Sequence, residues 1–566
     1  MRRTLVLALT ALALLGAVAT DAFAQAPAGG PVPKFTITGF VDEVMTYSRN
    51  VSNVDADMHL IDKQWYGRTR GRFDIIGEYG KSKVVLGLEL DFVYGQAGSQ
   101  NTNIVTTYGG VSSAGGASAI ATQFGTDGGG SLNTDVRGIL EIKWLYTEFE
   151  APLIPWPTVI RLGLQPDGTA ASYKLATYFN GDFSGVNVVS TLTPNVKLVW
   201  TYVAVEEALV GQQVNQNCPV ATGTTSGIRT CGVNPFQLRG DDWAFIMAPE
   251  ITPFKGLDIK PMWSYFTANG TTSVNARQGR GGINTTTGFA NADGSWKPGI
   301  NENRYTVGVD GRLRMGAFSF DPSILYQFGN RDVVVPATLA GPLTNTGKTA
   351  GQTAYASESS WLIDMRAGYQ IGPLLLEMMY MWTQGNRAGD TTLRNVHYFQ
   401  PLSTDTSYLA DWGGQLMMLG VDYLNAMLES GLTLQYPGVT IGWDKYGRQM
   451  LGGRATYAFT PALSAYFGAN YHLTSNEVDK NSIPVAGGGL LPSLRTLETG
   501  HCQSCSSYLG TELFMGTTWR FAPGIAWDNA FGYMFVGGAM SAVTSPLGPR
   551  NADDSYILST RVRVSF

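Results

Sequence analysis

Polar and apolar residues alternate with a period of two along most of this chain, and this alternation limits the folds that it can adopt. The even positions between 65 and 79 are mostly charged, namely Arg68, Arg70, Arg72, Asp74 and Glu78. The even positions between 83 and 94 are instead apolar or aromatic, namely Val84, Leu86, Leu88, Leu90, Phe92 and Tyr94. Successive side chains of a strand point to opposite faces. Each segment therefore predicts a β-strand with one charged and one apolar face.

Very short turns and long polar loops join the predicted strands in strict alternation. The turns fall near 80–82, 152–157, 193–195, 252–256, 316, 372–373, 460–462 and 522–524. The loops cover roughly 49–64, 95–134, 166–182, 207–240, 268–302, 329–357, 385–445, 474–507 and 536–552. These connections predict about eighteen strands, with sixteen or twenty as alternatives. Short periplasmic turns and long extracellular loops are typical of membrane-spanning β-barrels.

The alternation also predicts which face of each strand meets lipid. A barrel of about eighteen strands has too wide a lumen to be filled by side chains of its wall. The opposite orientation would place charges against hydrocarbon, at about 2–4 kcal/mol for each Arg or Lys at the midplane. We therefore expect an all-β, antiparallel, up-and-down transmembrane barrel whose apolar faces point outwards. Aromatic residues near the strand ends are expected to form the two interfacial girdles, among them Trp65, Tyr79, Tyr94, Trp144, Trp200, Trp361, Trp382 and Trp519.

Composition excludes several other classes of protein. Charged residues make up 15% of the 566 residues, against about 25% in a typical soluble domain. The mean hydropathy of -0.03 does not suit a helical membrane protein, whose spans need roughly 20 consecutive apolar residues. The formal net charge is -5, so the chain has no basic footprint that predicts a nucleic-acid partner.

The first residues predict export. Arg2 and Arg3 precede an apolar stretch that ends in Ala22-Phe23-Ala24, which is the pattern of a secretory signal peptide. We expect a signal peptide at 1–24, a short periplasmic segment at 25–33 and one barrel domain at 34–566.

Four cysteines lie in polar stretches, and an oxidising compartment favours disulfides over free thiols. The simplest pairing joins Cys218 to Cys231 and Cys502 to Cys505, although four cysteines allow three connectivities. The segment 501–505 does not match a covalent haem-attachment motif, because that motif requires a histidine directly after the second cysteine. Here His501 precedes Cys502 instead of following Cys505. The segment 55–59, with two aspartates and one histidine, either holds a divalent cation or forms a solvated polar turn, and the turn is the favoured interpretation. The sequence thus predicts neither a metal site nor a cofactor.

The chain ends on an alternating strand with a terminal aromatic residue. The apolar phase of that strand consists of Tyr556, Leu558, Val562, Val564 and Phe566. This ending resembles the assembly signal that outer-membrane barrels present to the barrel-assembly machinery.

Two further segments resemble those of Gram-negative porins. Residues 68–80 are similar to the second strand and first turn of general and phosphate-selective porins. Residues 146–150 and 160–165 are similar to their hairpin ending in Arg-x-Gly-Arg-Gln, with Leu164 in place of the second arginine. The resemblance implies a bacterial outer-membrane location, contact with membrane lipid and lipopolysaccharide, and a homotrimer.

Charged side chains predicted to face the lumen are the candidate functional residues. The basic candidates are Arg68, Arg70, Arg72, Arg161, Arg304, Arg312, Arg314, Arg366, Arg448, Arg454, Arg561 and Arg563. The acidic candidates are Asp74, Glu89, Asp91, Asp310 and Asp364. Barrel closure would put Arg561 and Arg563 two strands from Arg68, Arg70 and Arg72, which predicts an arginine-rich wall. Such charges either set ion preference or form salt-bridge ladders without a role in solute transport.

The loop 385–445 is too long and too apolar for an ordinary external connection. It either folds into the lumen as a constriction, covers a subunit interface, or adds a hairpin to the barrel.

These features favour a porin for passive diffusion of small hydrophilic solutes and ions. The alternative is a selective anion or polysaccharide-export channel that resembles the alginate exporter. A barrel enzyme is a remote alternative, because the only histidine on a predicted strand, His472, has no serine partner at a useful spacing. We therefore expect a channel and not an enzyme.

Overall fold

The computed structural model describes residues 32–50, 63–94, 139–169, 178–206, 242–270, 300–334, 353–387, 395–404, 446–479, 483–485, 489–491, 505–539 and 553–566. No helix among them combines the length and the apolar character needed to span a membrane. The predicted signal peptide at 1–24 lies outside the described residues.

Twenty-three strands make up almost all of the described chain. In the first half they are β1 (Lys34–Arg49), β2 (Lys63–Tyr79), β3 (Ser82–Tyr94), β4 (Ile139–Glu150), β5 (Thr158–Gly168), β6 (Phe179–Thr193), β7 (Val196–Glu206), β8 (Asp242–Met247), β9 (Glu250–Phe254), β10 (Leu257–Gly270) and β11 (Ile300–Met315). In the second half they are β12 (Phe318–Val334), β13 (Thr353–Ile371), β14 (Leu374–Thr383), β15 (Asn395–Val396), β16 (Ser403–Thr404), β17 (Gln449–Ala458), β18 (Leu463–Asp479), β19 (Ile483–Val485), β20 (Gly489–Leu491), β21 (Cys505–Ala522), β22 (Ile525–Val536) and β23 (Ser555–Ser565).

The wall is a closed antiparallel barrel of eighteen strands, as predicted. Strands β8 and β9 together form one wall strand, since both pair with β7 on one side and β10 on the other. The short strands β15 and β16 lie against the wall, and β19 and β20 form a separate hairpin. Strand β23 closes the barrel against β1, and Gly39 and Phe566 exchange two backbone hydrogen bonds of 3.0 Å.

Tight turns join alternate strands at the positions that the sequence predicts. Between β11 and β12 the turn holds Gly316 at φ +59°, and between β13 and β14 it holds Gly372 at φ +55°. Glycine adopts this left-handed conformation without the clash that a Cβ atom would cause, and two-residue hairpin turns require it. Local turn chemistry thus sets the register of these hairpins.

The two faces of the wall differ as the alternation predicts. On β14, Met378 is 62% exposed on the outside, whereas the neighbouring Met379 and Met381 are 1% and 0% exposed on the inside. The same outward apolar phase occurs on β12, where Phe318 and Phe328 are exposed. A continuous apolar exterior on a closed barrel can only be solvated by lipid. The chain is a transmembrane β-barrel.

Outward aromatic rings contact each other across neighbouring strands at the loop end. Tyr265 and Tyr305 have ring centroids 4.8 Å apart, and Tyr326 and Trp361 are 4.5 Å apart. One predicted girdle residue is misplaced, because Trp144 points inwards, where its indole nitrogen donates to Asp182. Trp144 lies in the same inward phase as Tyr146 and Glu148 and stands opposite Gly87, which has no side chain to collide with the indole ring. The β-bulge precedes it, where Leu88 pairs with Ile142, and reverses the alternation only for Ile142 and the residues before it.

The interior is partly filled by apolar side chains, which the sequence analysis did not foresee. A buried cluster on the inner face joins residues of many wall strands with residues of the long loops, including Phe266, Leu362, Phe399, Phe514 and Met534. The lumen is therefore not lined by charges alone.

Candidate channel interior

Cation–carboxylate pairs bridge neighbouring strands on the inner face of the wall. The pairs with nitrogen-to-oxygen contacts across adjacent strands are Arg563–Asp42, Arg561–Asp528, Arg72–Glu89, Arg161–Glu148, Lys260–Glu250, Arg312–Asp258, Arg314–Asp321 and Arg454–Glu377. Within one strand, Arg304 pairs with Glu302 and Arg366 with Asp364. The arrangement is a salt-bridge ladder that follows the wall. Each rung combines a positive and a negative charge.

The closing seam places the predicted arginine wall on three adjacent strands. Across β1, Arg561 and Arg68 both stand opposite Val44, whereas Arg563 and Arg70 both stand opposite Asp42. The carboxylate of Asp42 is fully buried and accepts a 2.5 Å hydrogen bond from Nε of Arg563. Asp42 was not among the predicted candidates, although its even position on an alternating strand indicates the inner face. The wall is thus arginine-rich and holds a buried carboxylate at its centre.

Next to the seam, one carboxylate serves several cations. Nε of Arg72 donates to Glu89 at 2.8 Å, and both Arg70 Nη2 and Lys143 Nζ lie 3.6 Å from the other oxygen of Glu89. Lys143 also lies 3.0 Å from Asp182. In this sector the arginine of a pair is more exposed than its carboxylate, at 22% against 5% for Arg72 and Glu89 and 30% against 0% for Arg563 and Asp42.

Aromatic rings support the accessible arginines of this sector. The guanidinium of Arg72 lies 5.6 Å from the ring centroid of Phe40 and 5.5 Å from that of Trp144. The guanidinium of Arg563 lies 4.2 Å from the ring centroid of Phe40. These cation–π contacts hold the guanidinium planes against the wall.

The candidates differ greatly in their access to water. The side chains of Arg312, Arg563 and Arg161 are 31%, 30% and 26% exposed, whereas Arg304 and Asp364 have no exposed surface. Arg304 is covered by the ring of Phe266 at 4.8 Å. The accessible arginines can act on a passing solute, and the buried ones cannot.

The remaining candidate residues belong to the same inward-facing set of alternating strand positions. Arg68, Arg448 and Asp310 are buried, and the hydroxyl of Ser323 donates to Asp310 at 2.8 Å. Asp74 is partly exposed, and Asp91 stands opposite Arg70 in the β2–β3 register.

A segment of the long loop, residues 395–404, lies along the inside of the wall. We name it the strap. Its first end pairs in parallel with β13, where Asn395 stands opposite Ser357, and its other end pairs in parallel with β6, where Ser403 stands opposite Phe179. Since five wall strands separate β13 from β6, the strap spans a large arc of the barrel. Residues 388–394 and 405–445, including the apolar stretch 412–428, lie outside the described residues.

Buried contacts hold the strap. Gln400 and Gln327 exchange two hydrogen bonds, from Gln327 Nε2 to the Gln400 carbonyl at 2.9 Å and from Gln400 N to Gln327 Oε1 at 3.0 Å. Phe399 is fully buried and meets the ring of Tyr178 edge-on, with centroids 6.3 Å apart. The strap is therefore anchored to inward-facing side chains.

Four buried charges lie beneath the strap. Arg304 pairs with Glu302 at 2.8 Å, and Nε of Arg331 lies 3.6 Å from Glu358. The hydroxyl of Tyr398 accepts a hydrogen bond from Arg331 at 3.3 Å. Glu302, Arg331 and Glu358 were not among the residues predicted from the sequence, because only the folded loop covers them.

His472, the remote catalytic candidate, is buried. It is 2% exposed, and its Nε2 lies 3.8 Å from Glu512. A side chain with this little exposure cannot reach a substrate. The described residues contain no cluster of three metal-ligating side chains.

Cys505 is disulfide-bonded. The other three predicted disulfide residues, Cys218, Cys231 and Cys502, lie outside the described residues.

Comparisons with known proteins return similar folds only. No protein-family model and no curated protein sequence matches the chain. Among solved structures, OccD3 (OpdP) of Pseudomonas aeruginosa is 11% identical over 95% of this chain and 92% of its own, with a TM-score of 0.42. OccAB1 of Acinetobacter baumannii is 11% identical over 96% and 99%, with a TM-score of 0.43. OccK8 (OprE) of Pseudomonas aeruginosa is 10% identical over 94% and 98%, with a TM-score of 0.43.

Proposed function

We propose that this protein is an outer-membrane porin, a water-filled channel through which small hydrophilic solutes and ions diffuse passively. The observation that carries the proposal is the set of water-accessible, paired charges on the inner face of a closed barrel whose exterior is apolar. Arg72, Arg161 and Arg563 keep 22%, 26% and 30% of their side chains exposed inside the wall. Charged, exposed interiors of this kind line aqueous bores.

The position of the strap favours the passage of small solutes over the passage of polymers. It covers the inner face between β13 and β6 and packs on the buried apolar cluster. The strap thereby narrows the bore at its own level. A narrowed passage whose arginines are more exposed than their carboxylate partners suits single small solutes, with a preference for anions, better than a long polysaccharide chain.

The test is electrical recording on the refolded, signal-free protein in planar bilayers. We expect stable single-channel steps and a reversal potential, under a KCl gradient, that shows both ions permeating with some preference for chloride. Proteoliposomes should swell in small sugars and in amino acids but not in polysaccharide of several kilodaltons. Folded protein, identified by its heat-dependent gel mobility, that neither conducts nor allows swelling would refute the proposal.

We further propose that the barrel-assembly machinery recognises the terminal strand. Its apolar phase lies on the outer face, and Leu558, Val564 and Phe566 are 54%, 42% and 57% exposed. A flat, exposed apolar edge with a terminal aromatic ring offers a surface that an insertion partner can bind before closure.

A further inference from the structure

The strap meets β13 at a buried carboxyl group. Val396 of the strap stands opposite Glu358 in the parallel pairing, and Nε2 of Gln400 donates to Oε1 of Glu358 at 3.4 Å. The side chain of Glu358 is 1% exposed, and among the described residues its Oε2 accepts no hydrogen bond. Burying an ionised carboxylate with so few donors is costly. The covered position therefore favours the protonated carboxyl.

The charges that face Glu358 come from β11, β12 and the strap. Nε of Arg331 lies 3.6 Å from Glu358, but Arg331 also donates to the hydroxyl of Tyr398 at 3.3 Å. Glu302 and Arg304 pair with each other at 2.8 Å. Desolvation acts most strongly on Glu358, and the negative charge of Glu302 opposes its ionisation further. The two arginines favour ionisation but do not outweigh these influences.

Glu358 lies on the loop side of the aromatic girdle. On β13 it stands three residues beyond Trp361, towards the loop, and the ring of Trp361 contacts Tyr326 in that girdle. Glu358 therefore belongs to the part of the strand outside the membrane. Burial raises the pKa of its carboxyl group from 4.5 to about 7.

We infer that Glu358 is a proton-controlled latch for the strap: the protonated carboxyl holds the strap against β13, and loss of the proton to water releases the strap from the wall. The ionised carboxylate needs hydration, which it gains only when Val396 and Gln400 move away. The inference rests on the proposed channel function, because a released strap no longer narrows the bore. Transport would then depend on pH.

The pH window of the latch follows from the two states of Glu358. With the strap released, the hydrated carboxyl has its ordinary pKa of 4.5, whereas with the strap in place its pKa is about 7. The group therefore stabilises the docked strap fully below pH 4.5, and this stabilisation is lost as the pH rises through 7. Between pH 4.5 and pH 8, the docking equilibrium should weaken by roughly 10²- to 10³-fold.

The test compares single-channel recordings at pH 5 and pH 8, with the same KCl concentration and the same pH on both sides of the bilayer. We expect larger and noisier conductance steps of the wild type at pH 8, because the strap is released. Glu358→Gln keeps the shape of the side chain but cannot ionise. This variant should show the smaller, quieter steps at both pH values.

A covalent lock tests the same movement without changing Glu358. Ser357 and Asn395 stand opposite each other where the strap pairs with β13, and their side chains share a 2.8 Å hydrogen bond. A disulfide formed by Ser357→Cys with Asn395→Cys should abolish the pH response, and a reductant should restore it. The lock decides the question even if Glu358→Gln fails to fold.

The matched control is His397, another titratable residue of the strap. Its Nδ1 lies 3.1 Å from the carbonyl oxygen of Ser359, next to Glu358. His397→Gln should keep the pH response of the wild type, because the carboxyl group remains. Heat-dependent gel mobility shows that each variant has folded.

Hydrogen exchange followed by mass spectrometry measures the strap directly and does not require conduction. After correction for the intrinsic pH dependence of amide exchange, the protection of residues 395–404 should fall from pH 5 to pH 8 in the wild type. It should stay high in Glu358→Gln. Protein that does not conduct, but whose strap protection depends on Glu358 in this way, contradicts the channel proposal alone.

Four results would overturn the inference. They are wild-type conductance and strap protection that do not change between pH 5 and pH 8, a Glu358→Gln variant or a disulfide-locked variant that responds to pH like the wild type, and a His397→Gln variant that loses the response. Conducting channels with any of these results contradict the latch and leave the channel proposal intact.

Discussion

At the scale of single residues, exposure rather than charge decides which arginines can influence transport. Arg70 and Arg72 contact the same carboxylate, that of Glu89, on the same strand. The side chain of Arg72 is nevertheless 22% exposed, against 9% for Arg70. A charge in contact with the bore acts directly on passing ions, whereas a buried charge is compensated by its partner.

We therefore expect Arg72→Ala to lower the chloride-to-potassium permeability ratio, measured from the reversal potential in a KCl gradient. A unit charge about 8 Å from an ion in water contributes about 0.5 kcal/mol, which corresponds to roughly twofold in permeability. Arg70→Ala is the matched control and should change the ratio less. Equal effects of the two substitutions, or a larger effect of Arg70→Ala, would contradict this explanation.

At the scale of elements, the strap shows how a loop becomes part of the interior. Its ends are held by parallel pairing to β13 and β6, and its middle by buried contacts of Phe399, Gln400 and Tyr398. Backbone groups of a loop buried inside a barrel need protein partners. The reciprocal hydrogen bonds with Gln327 supply two of them. The strap is thus held to the wall at both ends and in its middle.

Loosening the strap should widen the channel. Phe399→Ala combined with Gln400→Ala removes a fully buried ring, at about 3–5 kcal/mol for such a truncation, and the hydrogen bond between the Gln400 side chain and Glu358. We expect larger and noisier single-channel conductance with an intact barrel.

The matched control is Met378→Ala, which truncates an outward side chain that is 62% exposed and should leave conductance unchanged. A double variant with wild-type conductance and noise would show that the strap does not limit ion flow.

At the scale of the whole molecule, closure depends on the last residue. Phe566 exchanges two backbone hydrogen bonds with Gly39 and places its ring against Phe73. A Cβ atom at Gly39 would lie 2.2 Å from the Arg72 carbonyl oxygen, so the backbone of β1 approaches β2 closely at this point. The first and last wall strands, β1 and β23, therefore meet in a closed seam.

Deleting Phe566 should reduce the amount of folded barrel in the outer membrane severalfold, because both the seam contacts and the terminal aromatic are lost. The measurement is the heat-shifted band in the outer-membrane fraction. Phe566→Tyr keeps the backbone and the ring, and it should assemble nearly as the wild type does. Normal assembly of the deletion variant would contradict both the seam argument and the proposed insertion signal.

Strand number, the direction of the alternation and the tight turns follow from the sequence alone, because period-two patterning and hairpin turns are local properties. The outward position of Met378 and the inward position of Met379 follow from the alternation of their immediate neighbours. The reversal of the alternation before Trp144 does not follow, since it depends on a β-bulge in the pairing of β4 with β3. The sequence alone also does not predict the burial of Arg304, the central position of Asp42 or the course of the strap. Each of these requires contacts between residues far apart in the chain, and only the closed barrel brings those residues together.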